Sequence, residues 1–442
     1  MNLFFQEKKK NFRVYFVGIG GVSMSALALF LKNKGFKVSG YDRSLGKNVK
    51  TLIEKGITVN EDKDLENCDI AVVSSAITDG NEKLEKLKAL KKSIITRAQL
   101  LNYISKNFKI KIGVAGTHGK TTCTAMLAHV LKCANKKFCA HIGGIDKTLG
   151  NMVMCGEDIF LSEVCEYKKN ISLFEPDFAI LLNVSDDHLE SYSSFNGLKQ
   201  EFSSYLLRAK KSFVVYEDRA LGSENSRTFS LNNTNANFYA SEIKTGKNGI
   251  ECIVNGTIGV LFKLKLNSFF VHDITNALAC VAVCKEFGIK NEVIKEGLEN
   301  FNGIKRRNEI LAKKENTVVY ADYAHHPEQI ERTVEMLKSK YKKYAVFFQS
   351  HTYSRTSTLF KKFITALSKI DNLFVFDTYG AREKYDYKGS GKRISESVKG
   401  CVYCGAVENA TAIFSAVYSQ YECIAVIGAG DLYDKIEEYL NE

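Results

Sequence analysis

Three times in this chain a short apolar run stops at a turn and passes straight into a helical pattern, an order that few folds accommodate. Val14-Tyr15-Phe16-Val17 meets a glycine turn and then a helix with Met24, Leu27, Ala28 and Leu31 on one side. Ile110-Lys111-Ile112-Gly113-Val114-Ala115 repeats the design, and its helix carries Met126, Leu127, Val130 and Leu131. Thr317-Val318-Val319-Tyr320-Ala321 leads into an Asp/His-rich loop and a helix from about Pro327, whose ring suits a first helical turn. Each is the opening of a parallel sheet, so the chain reads as three α/β units. Further apolar runs fill the sheets: Ile70-Ala71-Val72-Val73, Phe178-Ala179-Ile180-Leu181-Leu182, Ala345-Val346-Phe347-Phe348, Leu373-Phe374-Val375-Phe376 and Cys423-Ile424-Ala425-Val426-Ile427. The expected divisions are 1–107, 108–305 and 306–442, with a β-rich insertion at 227–270 in the middle unit.

The second opening carries Gly116-Thr117-His118-Gly119-Lys120-Thr121-Thr122 between its strand and its helix. A phosphate-cradling loop needs that context, because backbone N–H groups at a helix start point at the anion and the helix dipole adds to their pull. Lys120 would offset charge on the β and γ oxygens, and the Thr121 hydroxyl would hold magnesium. Val114 stands where the first glycine of the standard GxxxxGK pattern would be. The plain alternative is a glycine turn with a surface lysine. The strand before and the helix after favour a nucleotide.

Gly18-Ile19-Gly20-Gly21-Val22-Ser23 is like a dinucleotide fingerprint with Ser23 in place of the third glycine, and Asp42 follows at the distance of a ribose-binding acid. Alone it would suggest NAD, or a sharp turn serving only helix–sheet packing. A separate nucleotide loop at Lys120 points instead to two sites, one for ATP and one for another phosphorylated partner such as a UDP-sugar. Downstream lie Glu163 and Glu166, then Asn183-Val184-Ser185-Asp186-Asp187-His188 after a strand. A carboxylate and an imidazole at strand ends could hold a second magnesium, although histidine is an unusual ligand for so hard an ion. Two ordinary polar loops remain the alternative.

The charge balance excludes less than it first suggests. The chain carries 62 basic and 50 acidic residues, net +12, but the lysines alternate with acids, as in Glu82-Lys83-Leu84-Glu85-Lys86. This is a solvated surface rather than a nucleic-acid groove, and the positive field also suits polyanionic nucleotides. No apolar run reaches the roughly 18 residues of a membrane span. The start, with Lys8-Lys9-Lys10 after a very short apolar patch, does not suit a secretory signal, so a cytoplasmic location is expected. The 12 cysteines lack regular spacing and Cys401 and Cys404 form a lone CxxC, so reduced structural thiols are expected rather than disulfides or zinc.

From residue 14 almost to the end, the chain resembles the Mur ligase family. The blocks that carry the resemblance are Gly18-Ile19-Gly20-Gly21, Ser74-Ser75-Ala76-Ile77, Arg97-Ala98-Gln99-Leu100-Leu101, the Gly116 to Thr122 loop and Asp187-His188. They continue with Asn276-Ala277-Leu278-Ala279, Arg306-Arg307, Asp322-Tyr323-Ala324-His325-His326-Pro327, Phe348-Gln349-Ser350-His351-Thr352-Tyr353-Ser354-Arg355-Thr356 and Gly428-Ala429-Gly430. The ordered set is far more specific than any one block.

The resemblance implies a three-domain α/β fold: an N-terminal Rossmann-like domain for a UDP-sugar, a central P-loop ATPase-type domain, and a C-terminal Rossmann-like domain that closes over the site. It implies ATP-dependent ligation of L-alanine to the carboxylate of UDP-N-acetylmuramate through an acyl phosphate, in peptidoglycan precursor synthesis. Matched positions assign the sugar nucleotide to Gly18, Gly20, Gly21, Asp42, Ser75, Ala76 and Arg97. ATP falls to Gly116, Thr117, His118, Gly119, Lys120, Thr121 and Thr122, with His272, Asn276, Arg307 and Asp322. Thr121, Glu163 and His188 would hold magnesium at two sites, or manganese in its place. Tyr323, His326, His351 and Arg355 would face the carboxylate and the alanine. Lys120, Glu163, His188, Asp322, His326 and Arg355 would serve the chemistry. Small-molecule substrates are the implied partners, of a monomer or homodimer, with neither nucleic acid nor membrane insertion.

The sequence departs from the family pattern at Val271-His272-Asp273, in place of Gly-x-His-Asn, at Asn308, and at Cys165 and Lys168. Three rival readings go with these motifs. An NAD-dependent oxidoreductase would use the first glycine turn but leave Lys120, Asp322 and Arg355 idle. A related ligase would attach a preformed tripeptide or another amino acid. A non-catalytic nucleotide-binding regulator would not need the chemical positions filled.

Overall fold

The computed structural model describes residues 11–185, 192, 194–246, 249–268, 270–381 and 383–441. The chain forms two compact units. One runs to Asn267 and takes in Val271–Asn302; the other is the chain from Gly303 onward, with Ser268 and Phe270.

The first unit contains two sheets. Five parallel strands make the smaller, in the order Thr58–Val59, Lys37–Tyr41, Arg13–Val17, Ile70–Val73 and Ser93–Thr96. Val14 and Phe16 are wholly buried, as expected of an apolar run covered on both faces. The helix Val22–Asn33 buries Met24, Leu27, Ala28 and Leu31, the stripe that its 3.6-residue period predicts. Chain order reverses beside Arg13–Val17, so the turn at 18–21 and the loop after Ile70–Val73 emerge next to each other. Crevices for ligands open at such switch points.

The larger sheet has ten strands, with Phe178–Leu181, Ile110–Ala115 and Ile159–Glu163 adjacent and parallel at its centre. Residues 227–270 are β-rich, as expected, and their strands extend the edge of this sheet. Arg227–Ser230 pairs parallel with Lys211–Val215, and Phe238–Gly246, Gly249–Gly256 and Gly259–Leu266 follow as a meander. One apolar cluster joins the two sheets, running from Val14, Phe16 and Leu27 to Phe160, Phe202 and Tyr205. Phe108 and Phe160 meet within it at a ring distance of 5.0 Å.

In the second unit, six strands run in the order Glu309–Lys314, Thr317–Asp322, Cys423–Gly428, Tyr344–Gln349, Leu373–Phe376 and Val402–Gly405, and only the first pair is antiparallel. Pro327 opens the helix Pro327–Lys340. Among the described residues no helix is long and apolar enough to cross a membrane. All twelve cysteines are free thiols.

Candidate active site

The phosphate loop leaves the strand Ile110–Ala115 and enters the helix Lys120–Cys133 through Gly119, whose φ of 85° is left-handed. A Cβ there would meet Asn276 Oδ1 at 2.5 Å, so glycine is required both for its conformation and for space. The next strand's end clamps the loop. Asn183 Oδ1 accepts from His118 N at 2.8 Å, Asn183 Nδ2 donates to His118 O at 3.0 Å, and Asn183 O accepts from Thr117 N at 3.1 Å. Ser185 N donates to Thr117 Oγ1 at 2.9 Å.

Two carboxylates meet the loop's functional side chains. Thr121 Oγ1 donates to Glu163 Oε2 at 2.7 Å. Lys120 Nζ lies 3.0 Å from both oxygens of Glu166, and it also donates to the carbonyls of Gly116 at 2.5 Å and Thr117 at 3.2 Å. Burial alone would lower the Lys120 pKa, but the nearby negative charge, Glu166 foremost, outweighs it and holds the ammonium above its ordinary value. Just beyond, Lys168 and Lys169 both take left-handed backbone angles, strain of the kind that gathers at functional loops. His188 lies outside the described residues, as do Asp186 and Asp187. Thr121 and Glu163 supply the hard oxygen donors magnesium takes. Among the described residues no group of three or more His, Cys, Asp or Glu could hold a metal ion by itself.

On the helix His272–Glu286, Asn276 is buried and its Nδ2 donates to Asp273 Oδ1 at 3.0 Å, whereas the His272 side chain is about half exposed. Asn276 therefore backs Gly119 of the phosphate loop.

The first glycine turn is bound up with its neighbours. The N–H groups of Gly18 and Ile19 both donate to Tyr41 O, at 2.7 and 3.0 Å. Asp42 Oδ2 accepts from Gly20 N at 2.8 Å and Oδ1 from Ser44 N at 3.1 Å, so this acid braces the turn itself. Ser75 offers its carbonyl to Lys168 Nζ at 3.3 Å, and Ala76 N donates to Ser74 Oγ at 3.4 Å. Arg97 begins the helix Arg97–Ser105, fixed by a capping box of Thr96 and Gln99, and its Nη1 donates to Ser23 Oγ at 3.1 Å.

In the second unit the candidates collect at the carboxyl edge of the sheet. Asp322 ends its strand and accepts from Ala324 N at 3.0 Å and Thr333 Oγ1 at 2.9 Å. Burial raises its pKa to about 6 against these bonds and the charge of Arg307. Arg307 itself lies over the Tyr323 ring, 5.9 Å from its centroid. His351 stacks on Tyr379 with ring centroids 5.5 Å apart, and Arg355 Nη1 is 3.4 Å from its Nδ1. Thr352, between them, is left-handed at φ 66°. His325 packs toward this group: its ring is 6.4 Å from that of His351, and its Nδ1 is 2.8 Å from Tyr323 O. Burial first and Arg355 second pull His325 down to about 3 and His351 to about 4, so both are neutral at physiological pH. His326 stands at the N-cap position of the helix Pro327–Lys340, where its side chain makes no capping hydrogen bond.

Asn183 and His325, to which the motifs assigned no role, complete these clusters together with Glu166, one of the two acids singled out in the sequence. All three stand in or beside the quoted motifs, at strand ends, and that position was the available signal.

Comparison with known proteins gives this geometry a context. The Mur ligase family catalytic domain matches residues 13–109, the Mur ligase middle domain residues 114–284, and the Mur ligase glutamate ligase domain residues 306–430. A UDP-N-acetylmuramate–L-alanine ligase of Caldicellulosiruptor saccharolyticus is 35% identical over 97% of this chain and 98% of its own. One from Clostridium kluyveri is 35% identical over 98% and 99%. The crystal structure of a UDP-N-acetylmuramate–alanine ligase from Thermotoga maritima superposes with a TM-score of 0.83 at 25% identity, covering 97% of this chain and 98% of that one. Its three-domain α/β fold is shared here, as the motifs led us to expect. With three domain matches in sequence order and relatives alike from end to end, the chain belongs to the Mur ligase family.

Proposed function

We propose that this chain joins the carboxylate of UDP-N-acetylmuramate to the amine of L-alanine, converting one ATP to ADP and phosphate, in the synthesis of peptidoglycan precursors. The observation that carries the reading is the phosphate loop whose Thr121 and Lys120 each meet a carboxylate from the neighbouring strand end, Glu163 and Glu166. Relatives matched over nearly their whole length bear that activity in their names.

A carboxylate does not condense with an amine at neutral pH, because its oxygen is a poor leaving group. A carboxylate oxygen therefore attacks the γ-phosphorus of ATP, the bond to the β-phosphate oxygen breaks, and ADP departs, leaving an acyl phosphate. The amine nitrogen then attacks the acyl carbon, and phosphate leaves with the former carboxylate oxygen. Such a transfer asks the protein mainly for positioning and charge neutralisation. The loop N–H groups and Lys120 seat the triphosphate. Thr121 and Glu163 would hold magnesium, whose charge would offset that of the β and γ phosphates. His188 is the proposed ligand for a second ion. Gly18, Gly20, Gly21, Asp42, Ser75, Ala76 and Arg97 take the sugar nucleotide, and His272, Asn276 and Arg307 serve ATP. Tyr323, His326, His351 and Arg355 receive the carboxylate and the amino acid. The alanine ammonium must lose a proton before it attacks. Asp322, with a pKa of about 6, is ionised at neutral pH yet basic enough to take that proton, whereas His325 and His351 are far weaker bases.

The test is phosphate release from ATP and magnesium with UDP-N-acetylmuramate and L-alanine, glycine or L-serine in turn. Release should need both cosubstrates and run fastest with L-alanine. Lys120→Ala should slow it by about 10³-fold or more, the scale of cationic groups in phosphoryl transfer, while UDP-N-acetylmuramate still binds. Folded wild-type protein that leaves ATP intact with all substrates present would overturn the reading.

A further inference from the structure

His141 is wholly buried on the strand Phe138–Asp146, and it occupies the middle of a hydrogen-bonded line that joins the two sheets of the first unit. Its Nδ1 is 3.1 Å from Ser162 Oγ and its Nε2 is 2.8 Å from Ser23 Oγ. Ser162 spends its one hydroxyl proton on the carbonyl of Glu163, 2.9 Å away, so it accepts from His141 and the imidazole proton sits on Nδ1. The bare Nε2 then accepts from Ser23, whose oxygen is left to accept Nη1 of Arg97 at 3.1 Å. Each donor's direction is thus fixed by the group behind it. Burial, with Arg97 adding to it, pulls the His141 pKa down to about 3, which keeps the imidazole neutral and this order intact.

Ser23 is the second residue of the helix Val22–Asn33, directly behind the first glycine turn, where N–H groups and the helix dipole favour an anion. Arg97 brings a cation to the same helix start, and its charge is felt as far as Cys165, beside Glu166. We propose that His141 is a positioning residue: through Ser23 it fixes the Arg97 guanidinium for the diphosphate of the sugar nucleotide, and through Ser162 it ties that grip to the strand carrying Glu163. This rests on the first glycine turn being the sugar-nucleotide site. A histidine that merely filled core volume would affect stability and all substrates together.

Initial rates of phosphate release, with UDP-N-acetylmuramate and ATP varied in turn, separate the possibilities. His141→Val and Ser23→Ala should each raise the KM for UDP-N-acetylmuramate by about tenfold, the scale of one charge-assisted hydrogen bond, with kcat and the KM for ATP within about twofold. The double variant should be no worse than either single change, because both break the same line. His141→Gln, which keeps an acceptor near the place of Nε2, should recover most of the loss. An unchanged KM for the sugar nucleotide, an equal rise in the KM for ATP, or additive effects in the double variant would overturn the proposal. If His141→Val does not fold by circular dichroism, Ser23→Ala decides alone, and an unchanged KM there overturns it. Wild-type protein inactive with all three substrates would instead sink the sugar-nucleotide reading itself.

Discussion

A Cβ at Gly143 would lie 1.7 Å from Oε1 of Glu163 and 2.3 Å from its Oε2, so the carboxylate that accepts from Thr121 occupies the space a side chain would need. What a methyl group would strike is the movable end of a glutamate rather than backbone, and the strand can keep its pairing. Gly143→Ala should therefore fold, with Glu163 displaced from Thr121. Turnover should fall by about 10- to 100-fold, the usual loss when the support of a metal ligand goes, and more magnesium should be needed for half-maximal rate. Steady-state rates across a magnesium titration would show this. An alanine variant with the wild-type rate and magnesium dependence would remove Glu163 from the site. No local pattern in the sequence marks Gly143 for this role, because the clash depends on which strand lies next to Phe138–Asp146. Lys120 and Thr121 were legible because one consecutive motif holds them. His141 was not: a lone histidine inside Phe138-Cys139-Ala140-His141-Ile142 looks like core, and its partners are 21 and 118 residues away.

At the scale of elements, the phosphate loop is only as rigid as the strand end beside it. Asn183 satisfies both the N–H and the carbonyl of His118, and its own carbonyl takes Thr117 N. Asn183→Ala removes both side-chain bonds to His118 and lets the loop relax from the shape the triphosphate needs. The KM for ATP should rise by about tenfold, in line with the loss of one or two partly buried hydrogen bonds, and the KM for UDP-N-acetylmuramate should stay put. Nucleotide titrations at saturating sugar nucleotide would measure it, and an unchanged KM for ATP would show that the loop holds its shape alone. The strands and helices on either side of this loop were readable because period and turn chemistry are local. The pairing that brings Phe178–Leu181 against Ile110–Ala115, and so Asn183 against His118, is not local. The same limit explains residues 227–270. Their alternation announced strands, but only register shows that they prolong the sheet. Likewise an apolar stripe says that a surface is buried and not against what, so nothing in the sequence announced that the first two sheets share one core.

Across the molecule as a whole, acid should be the more destabilising direction of pH. Burial is the leading cause that pulls His141 and His325 to about 3 and His351 to about 4. In the unfolded chain each titrates near its ordinary value of about 6.5. Their folded values are depressed, so the stability they contribute is present above about pH 6.5 and drains as the pH falls toward those folded values. Two carboxyls oppose them. Burial raises Asp322 to about 6 and lifts Asp218 above its ordinary value, so their contribution is present at low pH and is lost as pH climbs through the folded values. The three depressed imidazoles outnumber the two raised carboxyls, so unfolding takes up protons on balance as the pH falls below about 6.5. A chain already at +12 gains further positive charge there, and self-repulsion works in the same direction. Urea midpoints should therefore fall between pH 7 and pH 5, and His141→Gln should flatten the slope of the transition to which His141 belongs. If the wild-type midpoint stayed level across that range, these imidazoles would be taking up protons as readily folded as unfolded. The neutral, fixed-direction line from Ser162 through His141 to Arg97 could not then exist.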